Sequence, residues 1–324
     1  MSRVLITGLA PISAVGIGRE DFATGLAEGR EGIREVESFN PEAFDYRLAA
    51  ECLDFALADF LESEKTYLDR CSELTLAACA MAFEDAGLRP GDIEPERVGL
   101  VFGTAYGPLD TMWAHTQRVQ SGGLRRASSV LFLHSFMNTP ISLASIEFGI
   151  RGPVACFCQG MASAGAALQF AADLIADGRA DLVLSGGVDA LSEVLFAALN
   201  DEGRLGNGFV PGEGAALLAL QSGEGASQLR RTPLAELIAV GLATEPGDEA
   251  AATRLAATRA LADAGLGEDD VLAFEPPTQY GRPFGATCAM DIAAAVCQGL
   301  ATTPTLITAG DPCGLACAVI VGKP

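Results

Sequence analysis

The amino-acid sequence predicts an α/β fold in which helices and sheets are layered. Short apolar segments rich in β-branched residues alternate with longer Ala-rich segments that have helical periodicity. Strands are predicted at residues 3–7, 98–102, 154–158, 181–185, 215–221, 236–240, 271–274 and 317–321. Helices are predicted at residues 71–86, 162–176, 250–264 and 286–300.

A short repeat indicates that the chain consists of two related halves. The tetrapeptide Asp-Ala-Gly-Leu occurs at residues 85–88 and again at 263–266. In both places it ends an Ala-rich helical segment, with Gly at the position that follows a helix C-cap, and a predicted strand comes soon after. The predicted halves are residues 1–221 and 234–324, and the Gly- and Ser-rich stretch 222–228 is the best linker candidate.

The charge balance restricts the class of partner. The chain has 21 basic and 42 acidic residues, which gives a net charge of −21. Such a chain is expected to repel nucleic acid, anionic lipid and acidic proteins, unless its basic residues cluster. The simpler interpretation, in which the charge only maintains solubility, stays open.

Cysteine usage and hydropathy predict a cytoplasmic protein without metal or cofactor. Apolar segments are all shorter than the roughly 18 residues that a membrane span needs. The first apolar segment, at residues 4–6, is too short for a signal peptide. The nine cysteines lack the spacing of metal ligands, so we expect free thiols in a reducing compartment.

The stretch from residue 152 to residue 190 contains a strand, a sharp turn and a helix in close succession. Gly152-Pro153 opens the predicted strand, which runs into the turn at residues 158–163 and then into a helix of small residues. An Ala-Asp pair and a Gly-Gly pair follow, at 180–181 and 186–187. This order resembles the β-ketoacyl-ACP synthases, which place their nucleophile at this kind of strand-to-helix turn.

Other segments resemble the same family in the same order. They are residues 4–13, 68–70, 101–104, 145–151, 208–215, 284–286 and 311–314, among which Gly-Phe-Val-Pro-Gly-Glu-Gly-Ala at 208–215 is the closest match. The resemblance covers most of residues 1–221, and it is present but weaker over residues 234–321. It implies a thiolase-like αβαβα fold of two related halves, of which the C-terminal half is shortened.

The resemblance also implies that the nucleophile is absent. The family uses one Cys, two His and usually a Lys, and the Cys lies at a helix N-terminus, where the dipole favours a thiolate. An alignment without gaps from Gly152-Pro153 to Gly186-Gly187 places Met161 at the Cys position. A thioether cannot form a thioester. The alternative nucleophile is Cys158, which would lie on the strand.

The catalytic histidines are missing as well. Only His115 and His134 are present, whereas the family's pair comes from the C-terminal half. The family's Lys-x-x-x-Gly-His element corresponds to residues 277–282, where Pro277 replaces the Lys and Arg282 replaces the His. A guanidinium that is always protonated is a poor proton shuttle, although it can bind an anion.

Two further departures concern the walls of the site. The late Gly-rich loop carries Pro312 in place of the family's Phe. The segments 189–209 and 274–281 are shorter than their family counterparts. Because such loops line the pocket in the family, their loss argues against an enclosed catalytic pocket.

Residues for binding or subunit contact are predicted from the same resemblance. The segment 131–140 resembles the family's dimer-proximal stretch, in which His134 is a packing or interface residue or, alternatively, a base. Some family members that act as chain-length factors carry Gln at the nucleophile position. The predicted binding or interface residues are Gln159, His134, Phe136, Met137 and Asn138.

Three functional hypotheses follow. The first is a pseudo-ketosynthase without condensing activity, similar to a chain-length factor, which pairs with an active β-ketoacyl synthase and meets acyl carrier protein mainly through that partner. The second is an acyltransferase, thioesterase or decarboxylase that uses Cys158 or Ser163. The third is a homodimer that binds an acyl group or a carrier protein and catalyses no reaction.

Overall fold

The structure is a computed structural model that describes residues 3–63, 65–206, 208–228 and 232–324. The strands are β1 Val4–Ser13, β2 Gly16–Ile17, β3 Ile33–Glu35, β4 Leu48–Ala50, β5 Val98–Gly103, β6 Val154–Phe157, β7 Leu182–Asp189, β8 Gly214–Ser222, β9 Ala235–Thr244, β10 Leu272–Ala273, β11 Thr305–Gly310 and β12 Leu315–Gly322. The α-helices are α1 Arg19–Glu28, α2 Arg70–Asp85, α3 Leu109–Gly122, α4 Ser129–Leu133, α5 Thr139–Glu147, α6 Ser163–Ala176, α7 Glu193–Asp201, α8 Gly223–Gln228, α9 Glu249–Ala264 and α10 Thr287–Cys297.

Ten strands form one sheet whose two halves meet at β1. The strand order is β10-β11-β12-β9-β1-β8-β7-β5-β6, and β2 pairs with β1 as a hairpin. Strand β1 is antiparallel to β8 over most of its length, but it pairs with β9 only through Val4, Leu5 and Ile6. This short contact lets the sheet fold over, so that its two halves face each other. A separate hairpin joins β3 to β4.

Helices α6 and α10 fill the space between the two halves of the sheet. In β8, Leu218 and Leu220 face this central layer, whereas Leu217 faces the outer layer of α2 and α5. In β12, Val319 faces the central layer and Ile320 faces α9 on the other side. Strands that are buried on both faces need near-continuous apolar sequences, which these two strands have. The result is the expected αβαβα layering.

All eight predicted strands and all four predicted helices are confirmed, with ends that move by a few residues. The strand Thr305–Gly310 was not predicted, because threonines interrupt its apolar pattern and its antiparallel pairing with β12 is what stabilises it. The linker prediction for residues 222–228 needs correction. Ser222 ends β8, and its hydroxyl accepts the Gly225 N–H at 3.1 Å, so that the short helix α8 begins here instead of an open linker.

Among the helices that the structure describes, none combines the length and the apolar character needed to cross a membrane.

An ion pair between buried Glu213 and half-buried Arg70 ties the start of α2 to the residue before β8. Glu213 is 5% exposed, and its carboxylate accepts hydrogen bonds from the Arg70 guanidinium at 2.8 Å and from the Cys52 N–H at 3.0 Å. Arg70 also donates to the Cys52 carbonyl at 2.7 Å. Removing one partner of a buried pair leaves the other charge desolvated and unpaired, which is strongly destabilising.

We therefore expect Glu213→Ala to lower the free energy of unfolding by about 3 kcal/mol. The matched control is Glu236→Ala, which breaks the surface pair between Arg3 and Glu236 and is expected to cost less than about 1 kcal/mol. Urea denaturation followed by circular dichroism measures both values. Equal losses in the two variants would contradict the structural role of Glu213.

Candidate functional site

The turn that carries Met161 lies between the end of β6 and the start of α6. A 3-10 turn, Gly160–Ala162, leads directly into the first residue of α6, Ser163. The backbone N–H groups at the start of a helix carry partial positive charge and favour a negatively charged partner. The structure therefore places Met161 where a helix N-terminus would favour a thiolate if the residue were Cys.

The Met161 side chain contacts a cavity of about 450 Å³. The volume falls within the range of roughly 300–1,000 Å³ that small-molecule pockets occupy. A pocket therefore exists at this turn despite the two shortened segments. Its walls come from both halves of the chain: Met161, Arg204, Phe209, Glu249, Thr253, Arg282, Thr287, Thr308, Ala309, Gly310 and Pro312.

A carboxylate occupies the position beside the Met161 amide. The Met161 N–H donates to Asp311 Oδ2 at 3.3 Å, and the other carboxylate oxygen accepts the N–H groups of Cys313 at 2.9 Å and Leu315 at 3.3 Å. In acyl transfer, backbone N–H groups of this kind stabilise the oxyanion that forms on the carbonyl. Here the protein's own anion uses that donor.

The backbone on both sides is adapted to this carboxylate. Gly160 has φ +55°, and a Cβ there would lie 1.9 Å from Asp311 Oδ2, so only glycine allows the carboxylate to approach. The residue after Asp311 is Pro312, which has no N–H to donate. The loop that faces Met161 therefore provides a negative charge to the turn instead of a second amide donor.

Arg282 is held against the cavity by its backbone. Its N–H donates to the Val210 carbonyl at 2.9 Å, and its own carbonyl accepts the Gly212 N–H at 3.1 Å. Its guanidinium lies 3.6 Å from the fully buried Asp291 carboxylate, which is beyond hydrogen-bonding distance. Tyr280 donates its hydroxyl hydrogen to the other Asp291 oxygen at 2.6 Å.

Burial controls the protonation of Asp291. Desolvation raises the pKa of Asp291 to about 6, against the opposing effects of the Tyr280 hydrogen bond and the positive charge of Arg282. Its Oδ2 atom has no hydrogen-bond partner within the described part of the chain. An acid with a raised pKa in the folded state destabilises that state once the pH is high enough to ionise it.

A second buried carboxylate fixes one side of the cavity. Asp189 accepts hydrogen bonds from the Thr104 hydroxyl at 2.7 Å and from the N–H groups of Ala105 and Gly285, both at 2.7 Å. Next to Gly285, Phe284 has φ +42°, a conformation that costs energy in a non-Gly residue. Asp189 therefore joins the loop after β5 to the start of α10 and holds this strained turn in place.

The alternative nucleophiles are in unfavourable surroundings. The Cys158 thiol lies 4.0 Å from that of Cys156, outside the α6 helix, and burial together with the negative charge of Asp189 raises the pKa of the Cys158 thiol. Ser163 is fully buried, and its oxygen accepts the Gln159 N–H at 2.8 Å and lies 2.6 Å from the Gly160 carbonyl oxygen. Within the described residues, neither side chain has a hydrogen bond to a general base such as a neutral histidine.

The structure brings together only some of the predicted residues. Met161 and Arg282 contact the same cavity, whereas half-buried Pro277 is not part of its wall. Gln159 contributes to a different surface cavity, of about 370 Å³. His134 lies at the end of α4, with its ring 5.1 Å from that of Tyr67 in an edge-on arrangement.

The other predicted interface residues lie on the surface beside β6. Phe136 and Asn138 are exposed, and Met137 is half-buried. The Met137 carbonyl accepts the weak S–H hydrogen bond of Cys156, so this segment packs directly on the edge strand.

Sequence reasoning missed the role of Asp311 beside the cavity and several residues of the cavity wall, among them Arg204, Glu249 and Thr287. Asp311 belonged to a quoted motif, but its hydrogen bond to an amide 150 positions earlier depends on tertiary structure. Arg204 and Glu249 do not belong to any motif that the sequence displays. Thr287 begins α10, and its position at a second helix N-terminus was the available signal.

Comparison with known proteins identifies the family of this scaffold. Residues 1–226 match the profile described as "Beta-ketoacyl synthase, N-terminal domain". A "3-oxoacyl-[acyl-carrier-protein] synthase 2" of Coxiella burnetii (strain RSA 493 / Nine Mile phase I) is 28% identical over 298 residues, which cover 83% of this chain and 71% of the relative. A "Putative polyketide beta-ketoacyl synthase 1" of Streptomyces halstedii is 33% identical over 244 residues, covering 68% of this chain and 58% of the relative.

Solved structures share the complete fold. "The ishigamide ketosynthase/chain length factor" superposes with a TM-score of 0.88 at 21% identity, covering 100% of this chain and 99% of that chain. "Ketosynthase (ApeO) in Complex with its Chain Length Factor (ApeC) from Xenorhabdus doucetiae" gives a TM-score of 0.77 at 16% identity, covering 100% of this chain and 98% of that chain. The thiolase-like fold is therefore confirmed.

The raised pKa of Asp291 predicts a pH-dependent effect of Asp291→Asn. Because the folded protein binds this proton more tightly than the unfolded chain, wild-type stability falls as the pH rises from about 4 to above 6, whereas the amide does not ionise. We expect the free energy of unfolding of the variant, relative to wild type, to increase by about 2–3 kcal/mol across that interval. Urea denaturation at several pH values measures it, and a difference that stays constant would contradict the assignment.

The Met161 turn predicts that the wild-type chain forms no acyl adduct. After incubation with an acyl thioester of N-acetylcysteamine, intact-mass spectrometry is expected to show an unmodified wild-type chain. Met161→Cys, as positive control, should gain one acyl group, and adding Asp311→Asn should accelerate this gain because a negative charge beside the helix N-terminus is removed. A wild-type adduct mapped to Cys158 would refute the prediction.

Proposed function

Because the chain belongs to the β-ketoacyl synthase family, we propose that it is a non-condensing subunit that pairs with an active β-ketoacyl synthase, as chain-length factors do, in fatty-acid or polyketide biosynthesis in the cytoplasm. The observation that carries this proposal is the Met161 turn. The turn keeps its place at the helix N-terminus, but it presents a thioether, and its amide is bonded to Asp311.

The polar groups that condensation requires also lie in the wrong places. Decarboxylation and enolate stabilisation need groups that exchange or donate protons near the nucleophile. The two histidines, His115 and His134, come before the nucleophile turn and do not contact the Met161 cavity in the described part of the chain. Arg282 does contact it, but a guanidinium does not give up its proton in proteins. These facts support a subunit whose contribution is not condensation.

An exposed sheet edge supports a partner subunit. Strand β6 is the last strand of the large sheet, and β5 is its only neighbour within the described residues. An edge strand with exposed apolar side chains is a template for pairing with another chain. Val154, the first residue of β6, is 42% exposed.

Exposed apolar side chains are concentrated in the part of the chain that leads into this edge. We call this set the β6 face, and it is defined by exposed apolar side chains of α3, α4, α5, β6 and the segments that connect them. Its members are Met112, Trp113, Leu124, Val130, Phe132, Leu133, Phe136, Ile146 and Val154. Ile146 is 78% exposed and Leu124 83% exposed. Most of the exposed large apolar side chains of the described residues therefore come from one part of the chain, as at a subunit interface.

The proposed partner is a ketosynthase because the fold neighbours are of that kind. Two of the solved structures carry titles that pair a ketosynthase with a chain length factor. Another title describes an acyl-carrier protein in complex with its ketosynthase. The net charge of −21 opposes direct docking of an acidic carrier, so we assign carrier binding mainly to the partner subunit.

The two alternative functions have less support. An enzyme that uses Cys158 or Ser163 would need an activated side chain, and the raised pKa of the Cys158 thiol and the buried, hydrogen-bonded hydroxyl of Ser163 both oppose this. A homodimer would use the same β6 face, so the composition of the purified complex separates it from the proposed heterodimer.

The proposal predicts that a charge at β6 breaks the complex. The chain should co-purify with an active β-ketoacyl synthase of its host, and Val154→Asp should weaken that association by about tenfold or more, because the carboxylate would be buried without a partner. The matched control is Leu272→Asp, which alters a similarly exposed apolar residue on β10, at the opposite edge of the sheet. Affinity is measured by biolayer interferometry.

The control and the oligomeric state decide the outcome. Leu272→Asp is expected to leave the affinity unchanged. A folded wild-type chain that stays monomeric in the presence of the synthase, or that forms only homodimers, would overturn the proposal. Equal effects of the two substitutions would place the interface elsewhere.

A further inference from the structure

Two arginines and a buried hydroxyl contact the Met161 cavity, and of the two arginines Arg204 is paired with Glu202 at 3.6 Å. Acidic residues outnumber basic residues two to one in this chain, 42 to 21, yet Arg204 and Arg282 both contact this one cavity. In the described part of the chain, the Arg282 guanidinium makes no hydrogen bond, and its ion pair with Asp291 spans 3.6 Å. Arg282 therefore has guanidinium donors available for a ligand.

Thr287 provides an independent indication of a ligand. Its side chain contacts the cavity, the residue is 1% exposed, and its hydroxyl has no hydrogen-bond partner within the described residues. A buried hydroxyl without a partner costs free energy, which a bound polar ligand would recover. Thr287 is also the first residue of the eleven-residue helix α10, so the helix dipole favours a negative charge at this place.

The backbone of Arg282 is fixed before any ligand binds. Both its N–H and its carbonyl are hydrogen-bonded to the segment that contains Val210 and Gly212. The side chain therefore extends towards the cavity from a fixed point, which removes part of the entropy cost of binding. A guanidinium presents two parallel N–H groups that match the two oxygens of a carboxylate.

The negative groups of the cavity leave room for an anion. Asp311 is already bonded to three backbone N–H groups and faces the Met161 turn. Asp291 is fully buried behind Arg282. Glu249 is exposed, so that solvent screens its repulsion of a ligand bound at Arg282. Phe209 and Met161 provide an apolar surface beside these charges.

From this arrangement we infer that the Met161 cavity binds a small carboxylate, held by Arg282 and by the Thr287 hydroxyl, with a short apolar part against Phe209 and Met161. The carboxylate belongs either to a free organic acid or to the end of an acyl chain carried on a thioester. The inference goes beyond the proposed pairing with a synthase, because it assigns a ligand to the cavity and not to the β6 face.

Calorimetry with the full chain tests this site. The probes are succinate, the succinyl thioester of N-acetylcysteamine, neutral succinamide and inorganic phosphate, each up to about 20 mM, which covers weak millimolar ligands. We expect saturable binding of succinate or of its thioester. The probe that binds more tightly shows whether the carboxylate comes from a free acid or from an acyl thioester. Succinamide should not bind, because it lacks the charge.

Variants locate the binding within the cavity. Arg282→Gln is expected to weaken binding by about tenfold or more, and Thr287→Val by about fivefold, as the loss of a charge-assisted and of a neutral hydrogen bond predicts. Arg179→Gln, at an exposed position, is the matched control and should not change the affinity. Circular dichroism verifies that each variant is folded, and Thr287→Val provides the test if Arg282→Gln is not.

The inference is wrong if neither carboxylate probe binds, if succinamide binds equally well, or if phosphate alone binds. It is also wrong if folded Arg282→Gln and Thr287→Val keep the wild-type affinity. Co-purification of Arg282→Gln with the synthase separates the two proposals. If Arg282→Gln loses carboxylate binding but still forms the complex, the result bears on the cavity alone. If Val154→Asp loses the complex, the result bears on the β6 face alone.

Discussion

The hydrogen bond from the Met161 amide to Asp311 depends on the folding of one sheet over two helices. Asp311 lies in the hairpin loop between β11 and β12, in the C-terminal half, and Met161 lies at the start of α6, in the N-terminal half. The short pairing of β1 with β9 allows the two halves to enclose α6 and α10. Because these helices are buried on both sides, their N-termini are fixed, and with them the cavity where Met161 and Thr287 meet.

On the proposed function, in which Met161 stands at the nucleophile position, the same hydrogen bond satisfies the turn without a thiolate. A helix N-terminus that loses its thiolate keeps its positive potential and its unpaired amide. Asp311 supplies a carboxylate that accepts the Met161 N–H, and Gly160 has no Cβ to keep this carboxylate away. The arrangement stabilises the turn without chemistry, since a carboxylate bonded to three amides has little tendency to leave. Restoring a thiol at residue 161 alone would place it beside a competing anion.

The sequence predicted the layers better than the site, and the reason is physical. Buried strands and helices have local apolar patterns that a single chain displays, as the confirmed elements show. Met161 and Arg282 could be placed by alignment with a family, and the structure brings them to one cavity. Pro277, also placed by alignment, lies outside the cavity wall. Contacts such as Asp311 to Met161 join distant parts of the chain, and no local pattern records them.

The β6 strand connects the two surfaces on which the proposals rest. Its exposed edge begins with Val154, and only a few residues later the chain enters the Gly160–Ala162 turn that contacts the cavity. The turn itself is already held by two hydrogen bonds, from the Gln159 N–H to the Ser163 hydroxyl and from the Met161 N–H to Asp311. A partner that pairs with the β6 edge would therefore meet a preformed cavity wall. Because the two surfaces share a strand but no contacting side chain, a substitution at Val154 and one at Arg282 are expected to act independently.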